Sequence, residues 1–157
     1  MKFIWKTTPA PKPKTKESRQ VAYIYAAILI IIVLCQLFTF DKFLLLVQSY
    51  GLPGGDSMTY FVGSLVVISE VFALPFLLEL DLSPFVRVSS MVFGWLVPFI
   101  WFTLALWLVI NVNAVENIGL LGTIGSLVPG WWAVYVSTAL GIMAAWVSWG
   151  LWPLKSK

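Results

Sequence analysis

Residues 58–84 have the sequence MTYFVGSLVVISEVFALPFLLELDLSP, a long apolar run that ends in a short polar turn. The run exceeds the ~20 apolar residues that a helix needs to cross the bilayer core. It is continuously apolar rather than alternating and contains good helix formers, which favours a helix over a strand. Ser83-Pro84 is typical of an N-cap followed by proline at the first helical position. The stretch therefore predicts one spanning helix, a tight turn and the start of another.

Three further stretches are long and apolar enough to cross a membrane. The whole chain of 157 residues is 60% hydrophobic and only 11% charged, whereas soluble domains are about 25% charged. A soluble fold of this size could not be covered by so few polar side chains. We expect an all-α integral membrane protein, a four-helix transmembrane bundle within residues 21–154, in contact with the lipid bilayer. Its predicted spans are residues 21–40, 58–80, 84–110 and 131–152.

The basic residues predict how the bundle is oriented. Residues 1–20 form a basic, proline-rich tail that we expect to be disordered and solvated, and not a cleavable signal. With four spans, nine of the ten Lys and Arg fall on the side of this tail, and only Lys42 falls on the other. Because basic loops stay on the cytoplasmic side, both termini are expected in the cytoplasm, in a plasma membrane.

Several classes of chemistry are disfavoured by composition. The chain has no histidine and one cysteine, Cys35, which excludes His-dependent catalytic pairs, zinc sites of the HExxH type and internal disulfides. Its seven acidic residues are scattered, so a metal site is not expected. A nucleic-acid partner is not expected either. These absences leave open whether the chain is an enzyme, and they leave its oligomeric state undetermined.

Glu70 is the candidate catalytic or ligand-binding residue, because it is the one charged residue in the interior of the second span, away from its ends. It lies about midway along the span, near the membrane midplane. Pro98 is expected at the same depth in the third span, where its missing N–H leaves the Gly94 carbonyl free to accept from a protonated Glu70. Gly141 is expected at this depth in the fourth span, with room for water or a ligand. Glu70, Gly94, Pro98 and Gly141 are therefore the predicted ligand-binding residues.

Three interpretations of Glu70 remain open from the sequence, and one of them is a side chain that faces a cavity without any chemical role. An ionisable group in the membrane is costly unless it is neutral, paired or hydrated, so a functional role in proton transfer or ligand polarisation is another hypothesis. The third is a neutral carboxylic acid that only ties two helices together. A cavity of about 300 Å³ beside Glu70, lined by aromatic residues such as Trp95, Phe99 or Trp146, would favour ligand binding. A tightly packed interior would count against it.

Small residues predict which helix faces pack together. Ser90, Gly94 and Pro98 recur at intervals of four in the third span, and so do Ser137, Gly141 and Ala145 in the fourth. Trp101 is expected on the opposite face, towards lipid. Residues 43–50 and 118–128 are apolar but too short to span. They are either a lid over the outer mouth of the bundle or extensions of the neighbouring helices.

The chain from about residue 21 to 110 resembles the DoxX/MauE-like family of small four-helix membrane proteins. The resemblance rests on the order and spacing of short motifs. These are Asp41-Lys42-Phe43, Leu52-Pro53, Ser69-Glu70-Val71, Leu77-Leu78, Arg87 and Ser89-Ser90. The chain departs from the family in having fewer glycines in the first two spans, Phe40-Asp41 before the lysine, and a long connection from Asn111 to Gly130.

The resemblance implies an accessory subunit of a quinone- or thiol-linked redox system. It carries Lys42, Pro53, Glu70 and Arg87 over as the matching positions, and it implies a redox partner protein. A quinone-like lipid is the one cofactor it suggests, because no other cofactor is evident in the sequence. The alternative is a non-catalytic membrane scaffold or assembly factor without a small-molecule site.

Overall fold

Five helices make up most of the chain that the computed structural model describes, which is residues 6–111 and 115–152. Four are long and one is short, and no strand is found in these ranges. The predicted all-helical class is confirmed. The helices are α1 (Lys16–Phe38), α2 (Phe40–Gln48), α3 (Gly55–Leu77), α4 (Pro84–Asn111) and α5 (Trp131–Leu151).

The four long helices form a closed bundle in chain order. Helix α1 packs against α3 and α5, and α4 packs against the same two helices from the other side. The start of α1, the end of α3, the start of α4 and the end of α5 meet at one end, here called the tail end. The opposite end, which carries α2 and the connection from α4 to α5, is here called the loop end. Consecutive long helices therefore run up and down.

All four long helices are long and apolar enough to cross a membrane. Each has 21 to 28 residues, which at ~1.5 Å per residue reaches across a hydrocarbon core about 30 Å thick. They coincide, within a few residues at their ends, with the four predicted spans. Large apolar side chains such as Ile31, Phe61 and Phe99 point outward and are more than half exposed. The chain is thus a multi-pass membrane protein whose outer surface contacts lipid.

Two prolines break the backbone hydrogen bonds of α3 and α4, and in both helices a hydroxyl from another helix fills the gap. Near Pro75, the Ser90 hydroxyl donates to the Phe72 carbonyl (2.6 Å) and accepts from the Phe76 N–H (3.0 Å). One turn before Pro98, the Gly94 carbonyl accepts from the Tyr25 hydroxyl at 2.7 Å. Freed backbone groups in a membrane helix need such partners. The Ser90 hydroxyl therefore joins α4 to α3, and the Tyr25 hydroxyl joins α1 to α4, at the backbone groups near the two prolines.

The described part of the N-terminal tail packs on the bundle, which differs from the prediction of a disordered, solvated segment. Thr8 pairs with Leu82 in the turn between α3 and α4, through backbone N–H and side-chain hydroxyl. The Arg87 guanidinium donates to the Thr8, Pro9 and Leu82 carbonyls. The Lys14 N–H donates to the Gly150 carbonyl at 2.9 Å. Backbone groups at the tail end offer partners that the tail's composition does not reveal.

The two apolar stretches at the loop end take different forms. Residues 43–50 belong largely to α2, a separate helix that begins after the chain bends at Thr39. Residues 115–130, here called the plug loop, are non-helical and turn-rich. The Tyr50 hydroxyl donates to the Ile118 carbonyl at 2.6 Å, so the two stretches touch. This arrangement matches a lid better than simple extensions of the long helices.

Candidate functional site

Glu70 lies on α3 in the interior of the bundle, and its side chain is fully buried. Its Oε1 accepts from the Trp101 indole Nε1 on α4 (3.0 Å) and from the Gln36 amide Nε2 on α1 (3.4 Å). Gln36 Nε2 also donates to the Leu120 carbonyl of the plug loop at 3.3 Å. One carboxyl oxygen thus joins three helices directly and the plug loop through Gln36.

Two of the three members of this cluster were not among the predicted site residues. Trp101 was expected to face lipid, but it is 1% exposed and turns its N–H to Glu70. The indole N–H needs an acceptor, and a buried carboxyl supplies one where lipid cannot. Gln36 lies near the end of α1 and was not predicted as a site residue. Its being the only amide in the run 21–40 was the signal that could have identified it.

The Gly94 carbonyl does accept a side-chain donor, as its position before Pro98 predicts, but the donor is not Glu70. Tyr25 of α1 fills this place. A Cβ atom added at Gly94 would meet only the Ala73 methyl, at 3.9 Å. Gly94 therefore lies beside Ala73 of α3 with room for a methyl group. The predicted hydrogen bond from Glu70 to Gly94 is wrong, because Tyr25 is the donor.

Pro98 and Gly141 lie together, but in a groove that excludes Glu70. The groove runs between α4 and α5 and has a volume of about 380 Å³. Pro98, Ser137 and Gly141 form part of its lining, together with the exposed rings of Trp95 and Phe99. A second groove of about 280 Å³ between α3 and α4 is almost wholly apolar and also lacks Glu70. The predicted ligand-binding residues therefore do not share one cavity.

At the loop end, buried hydrogen bonds of Tyr50 join the segment after α2 to the plug loop and to α4. The Tyr50 hydroxyl donates to Ile118 and the Tyr50 carbonyl accepts from the Trp107 indole N–H at 2.9 Å. The Asn117 side chain accepts from the Gly119 and Leu127 N–H groups, closing the plug loop on itself. Burial raises the pKa of Tyr50 above its ordinary value, because the charged phenolate would be desolvated there. Tyr50 is a neutral donor at any physiological pH.

The other positions singled out by the family resemblance do not converge on Glu70. Lys42 and Pro53 are exposed at the loop end, and Arg87 holds the tail at the opposite end. Cys35 is half-buried. Within residues 6–111 and 115–152, no group of three His, Cys, Asp or Glu side chains is close enough to hold a metal ion. Comparison with models of known families, with curated proteins and with solved structures found no match.

Proposed function

We propose that this chain is a non-catalytic membrane scaffold or accessory subunit, in which Glu70 joins helices instead of acting on a substrate. The observation that carries the proposal is the packing of Glu70. It is fully buried, it accepts from Gln36 and Trp101 on two other helices, and it is absent from the lining of the α4–α5 groove and of the α3–α4 groove. A substrate would need access to the carboxyl group, and these contacts occupy that position.

The test is to isolate the protein from its native membranes in mild detergent and to identify what accompanies it. A scaffold should carry a partner protein at fixed stoichiometry, and Glu70→Gln should retain that partner because the amide keeps an acceptor for Trp101. Glu70→Leu should lose the partner, because without the carboxyl acceptor Gln36 and Trp101 no longer join their helices to α3. A chain that is isolated alone, without a partner in either wild type or Glu70→Gln, would contradict the scaffold role.

A second candidate function is an accessory role in a quinone-linked redox system, which the DoxX/MauE-like resemblance suggests. The observation in its favour is the groove between α4 and α5. It is large enough for part of a prenylated ring, and the aromatic side chains of Trp95 and Phe99 border it beside Pro98 and Gly141. In this role the quinone-like lipid would bind at the groove without contacting Glu70, and a redox partner protein would dock alongside.

Lipid extraction with a matched pair of variants tests this second candidate. Gly141→Leu would fill the groove, whereas Ala139→Leu would add the same side chain to an exposed position of α5 outside the lining. If a quinone binds in the groove, its amount per protein should fall several-fold in Gly141→Leu only. An equal quinone content in all three proteins would contradict binding at this site.

We also propose that the tail end faces the cytoplasm of a plasma membrane. Charge distribution supports this orientation, because Lys42 is the only basic residue at the loop end. In a Cys35→Ser background, single cysteines at Thr7 and Ser57 report on the two ends, since both positions are exposed. An impermeant maleimide should label position 57 in intact cells and position 7 only after permeabilisation. The reverse pattern would overturn the orientation.

A further inference from the structure

Glu70 and Gln36 each keep one buried oxygen without a hydrogen-bond partner among the described residues. These atoms are Glu70 Oε2 and Gln36 Oε1, and both side chains are fully buried. Both N–H donors that reach Glu70 converge on its other oxygen, Oε1. A buried oxygen that lacks a hydrogen-bond donor destabilises the folded state, because it has lost its water partners without replacement. Each of these two oxygens therefore needs a hydrogen-bond partner beyond the N–H donors given above.

The orientation of the Gln36 amide is determined by the plug loop. A backbone carbonyl only accepts hydrogen bonds, so the amide group that faces the Leu120 carbonyl at 3.3 Å must be the NH₂ end. The same nitrogen lies 3.4 Å from Glu70 Oε1. Rotating the amide by half a turn would place two oxygens against each other at both contacts. Gln36 Oε1 is thus an acceptor that the described residues do not satisfy.

No basic side chain in residues 6–111 and 115–152 forms a hydrogen bond or ion pair with Glu70. The ion pair described in these ranges joins Arg19 to Glu79 at the tail end. The other titratable side chains of the long helices are Lys16, Glu17, Arg19, Tyr23, Tyr25 and Cys35 on α1, Asp56 and Tyr60 on α3, Arg87 on α4 and Tyr135 on α5, and none of them forms a hydrogen bond with Glu70. Asp41, Lys42 and Asp56 are exposed at the loop end. A carboxylate at Glu70 would have no counter-charge from the part of the chain that the structure describes.

We propose that Glu70 and Gln36 form a proton-binding acid–amide pair, in which the protonated Oε2 of Glu70 donates to Oε1 of Gln36. One proton then supplies a partner to both unpartnered oxygens, and the Gln36 N–H to Glu70 Oε1 closes the reciprocal pair. Glu70 Oε1, as the carbonyl oxygen of the acid, keeps its bond from Trp101. The proposal rests on the interhelical role of Glu70 proposed above and names the ligand of that site, a proton.

The proton at this pair is linked to the plug loop. Gln36 uses its second N–H to hold the Leu120 carbonyl, so the amide cannot turn without releasing the loop. Loss of the proton would place a carboxylate oxygen against the amide oxygen and force such a turn. The nearby Thr39 hydroxyl accepts from the Thr123 N–H at 3.3 Å and holds the same loop independently. Deprotonation therefore loosens the plug loop around Leu120 first.

Infrared difference spectroscopy tests the proton directly. The spectrum of wild type minus Glu70→Gln at neutral pH should contain the carbonyl band of a protonated carboxylic acid, shifted to lower frequency in D₂O. Gln36→Leu should move this band to higher frequency, because the acid loses a hydrogen bond. Glu79→Gln is the matched control, since Glu79 pairs with Arg19 and its difference spectrum should contain carboxylate bands.

Carboxylate bands in the Glu70 difference spectrum would overturn the proposal, whether or not they depend on a cation such as Na⁺. A protonated band that does not move in Gln36→Leu would overturn the pairing. Either result would leave the scaffold role of Glu70 intact, because that role is tested by partner retention.

Hydrogen exchange of the plug loop provides a second measurement. Glu70→Gln retains one donor and one acceptor for Gln36, so the amides of residues 118–123 should stay protected. Their protection factors, which are corrected for the base-catalysed exchange of a free amide, should no longer change with pH. In Glu70→Leu the amide hydrogens of residues 118–123 should exchange about tenfold faster than in wild type. This factor is equivalent to a loss of ~1.4 kcal/mol in the free energy of opening the loop. Equal exchange in wild type and Glu70→Leu would contradict the link between the pair and the loop.

Discussion

Trp101 donates its indole N–H to Glu70 at a depth where water cannot replace a lost donor. Trp101→Phe keeps most of the ring volume but removes this hydrogen bond. We expect it to lower the free energy of unfolding by about 1 kcal/mol, within the range found for buried hydrogen bonds in membrane proteins. Reversible unfolding in mixed micelles of detergent and denaturant would measure the change.

Trp95→Phe is the matched control for this prediction. Trp95 also lies on α4 and donates its N–H, but to Ser148 at the exposed surface, where the ring is 44% exposed. We expect Trp95→Phe to lower the free energy of unfolding by less than about 0.5 kcal/mol, because surface substitutions rarely exceed that value. Equal losses in Trp101→Phe and Trp95→Phe would show that the hydrogen bond from Trp101 to Glu70 contributes no more to stability than an exposed one.

Because the Tyr50 hydroxyl is buried, we expect the stability of the protein to fall at alkaline pH. The unfolded chain loses a tyrosine proton near pH ~10, whereas burial raises the pKa of Tyr50 in the folded protein. The protonated Tyr50 side chain therefore contributes fully to the stability of the fold below pH ~10. This contribution is lost as the pH rises above that value. Tyr50→Phe should be less stable than wild type at pH 8 but should lose less on going to pH 11. Parallel pH profiles of the two proteins, measured by thermal unfolding, would refute this.

At the scale of helices, Ser90 inserts its hydroxyl into α3 between the Phe72 carbonyl and the Phe76 N–H. Ser90→Ala leaves both backbone groups buried without that partner, so we expect a loss of about 1–2 kcal/mol in unfolding free energy. Ser89→Ala is the control, since Ser89 lies next to it and is only half-buried. The same unfolding assay measures both variants, and equal losses would show that the inserted hydroxyl contributes nothing.

Helix positions were largely predictable, but the breaks between helices were less so. Ser83-Pro84 marks the start of α4 by local chemistry, and the structure begins the helix at Pro84. No proline or glycine marks Thr39, where the chain bends between α1 and α2. The Thr39 hydroxyl donates back to the Cys35 carbonyl and accepts from Thr123 of the plug loop. The bend thus depends on a contact more than eighty residues away along the chain.

For the whole molecule, Arg87 ties the tail to the bundle through three backbone carbonyls. Arg87→Gln cannot reach all three, so the tail should be released. We expect trypsin to cleave after Lys14 about tenfold faster than in wild type, which corresponds to ~1.4 kcal/mol of lost docking free energy. Lys42→Gln, which removes an exposed base at the loop end, should leave the cleavage rate unchanged. Unchanged cleavage in Arg87→Gln would show that the tail is held by other contacts.

The number of long apolar helices, their approximate ends and the one acid in the interior of the second span could all be predicted from local composition. A bilayer core requires about twenty apolar residues whatever their neighbours. The partners of Glu70, in contrast, are known from the packing of the folded chain alone. Gln36, Trp101 and Leu120 come from distant parts of the chain, and helix rotation about its own axis determines whether such residues face lipid or the interior. In a chain that is apolar on every face, hydrophobic patterning does not reveal that rotation.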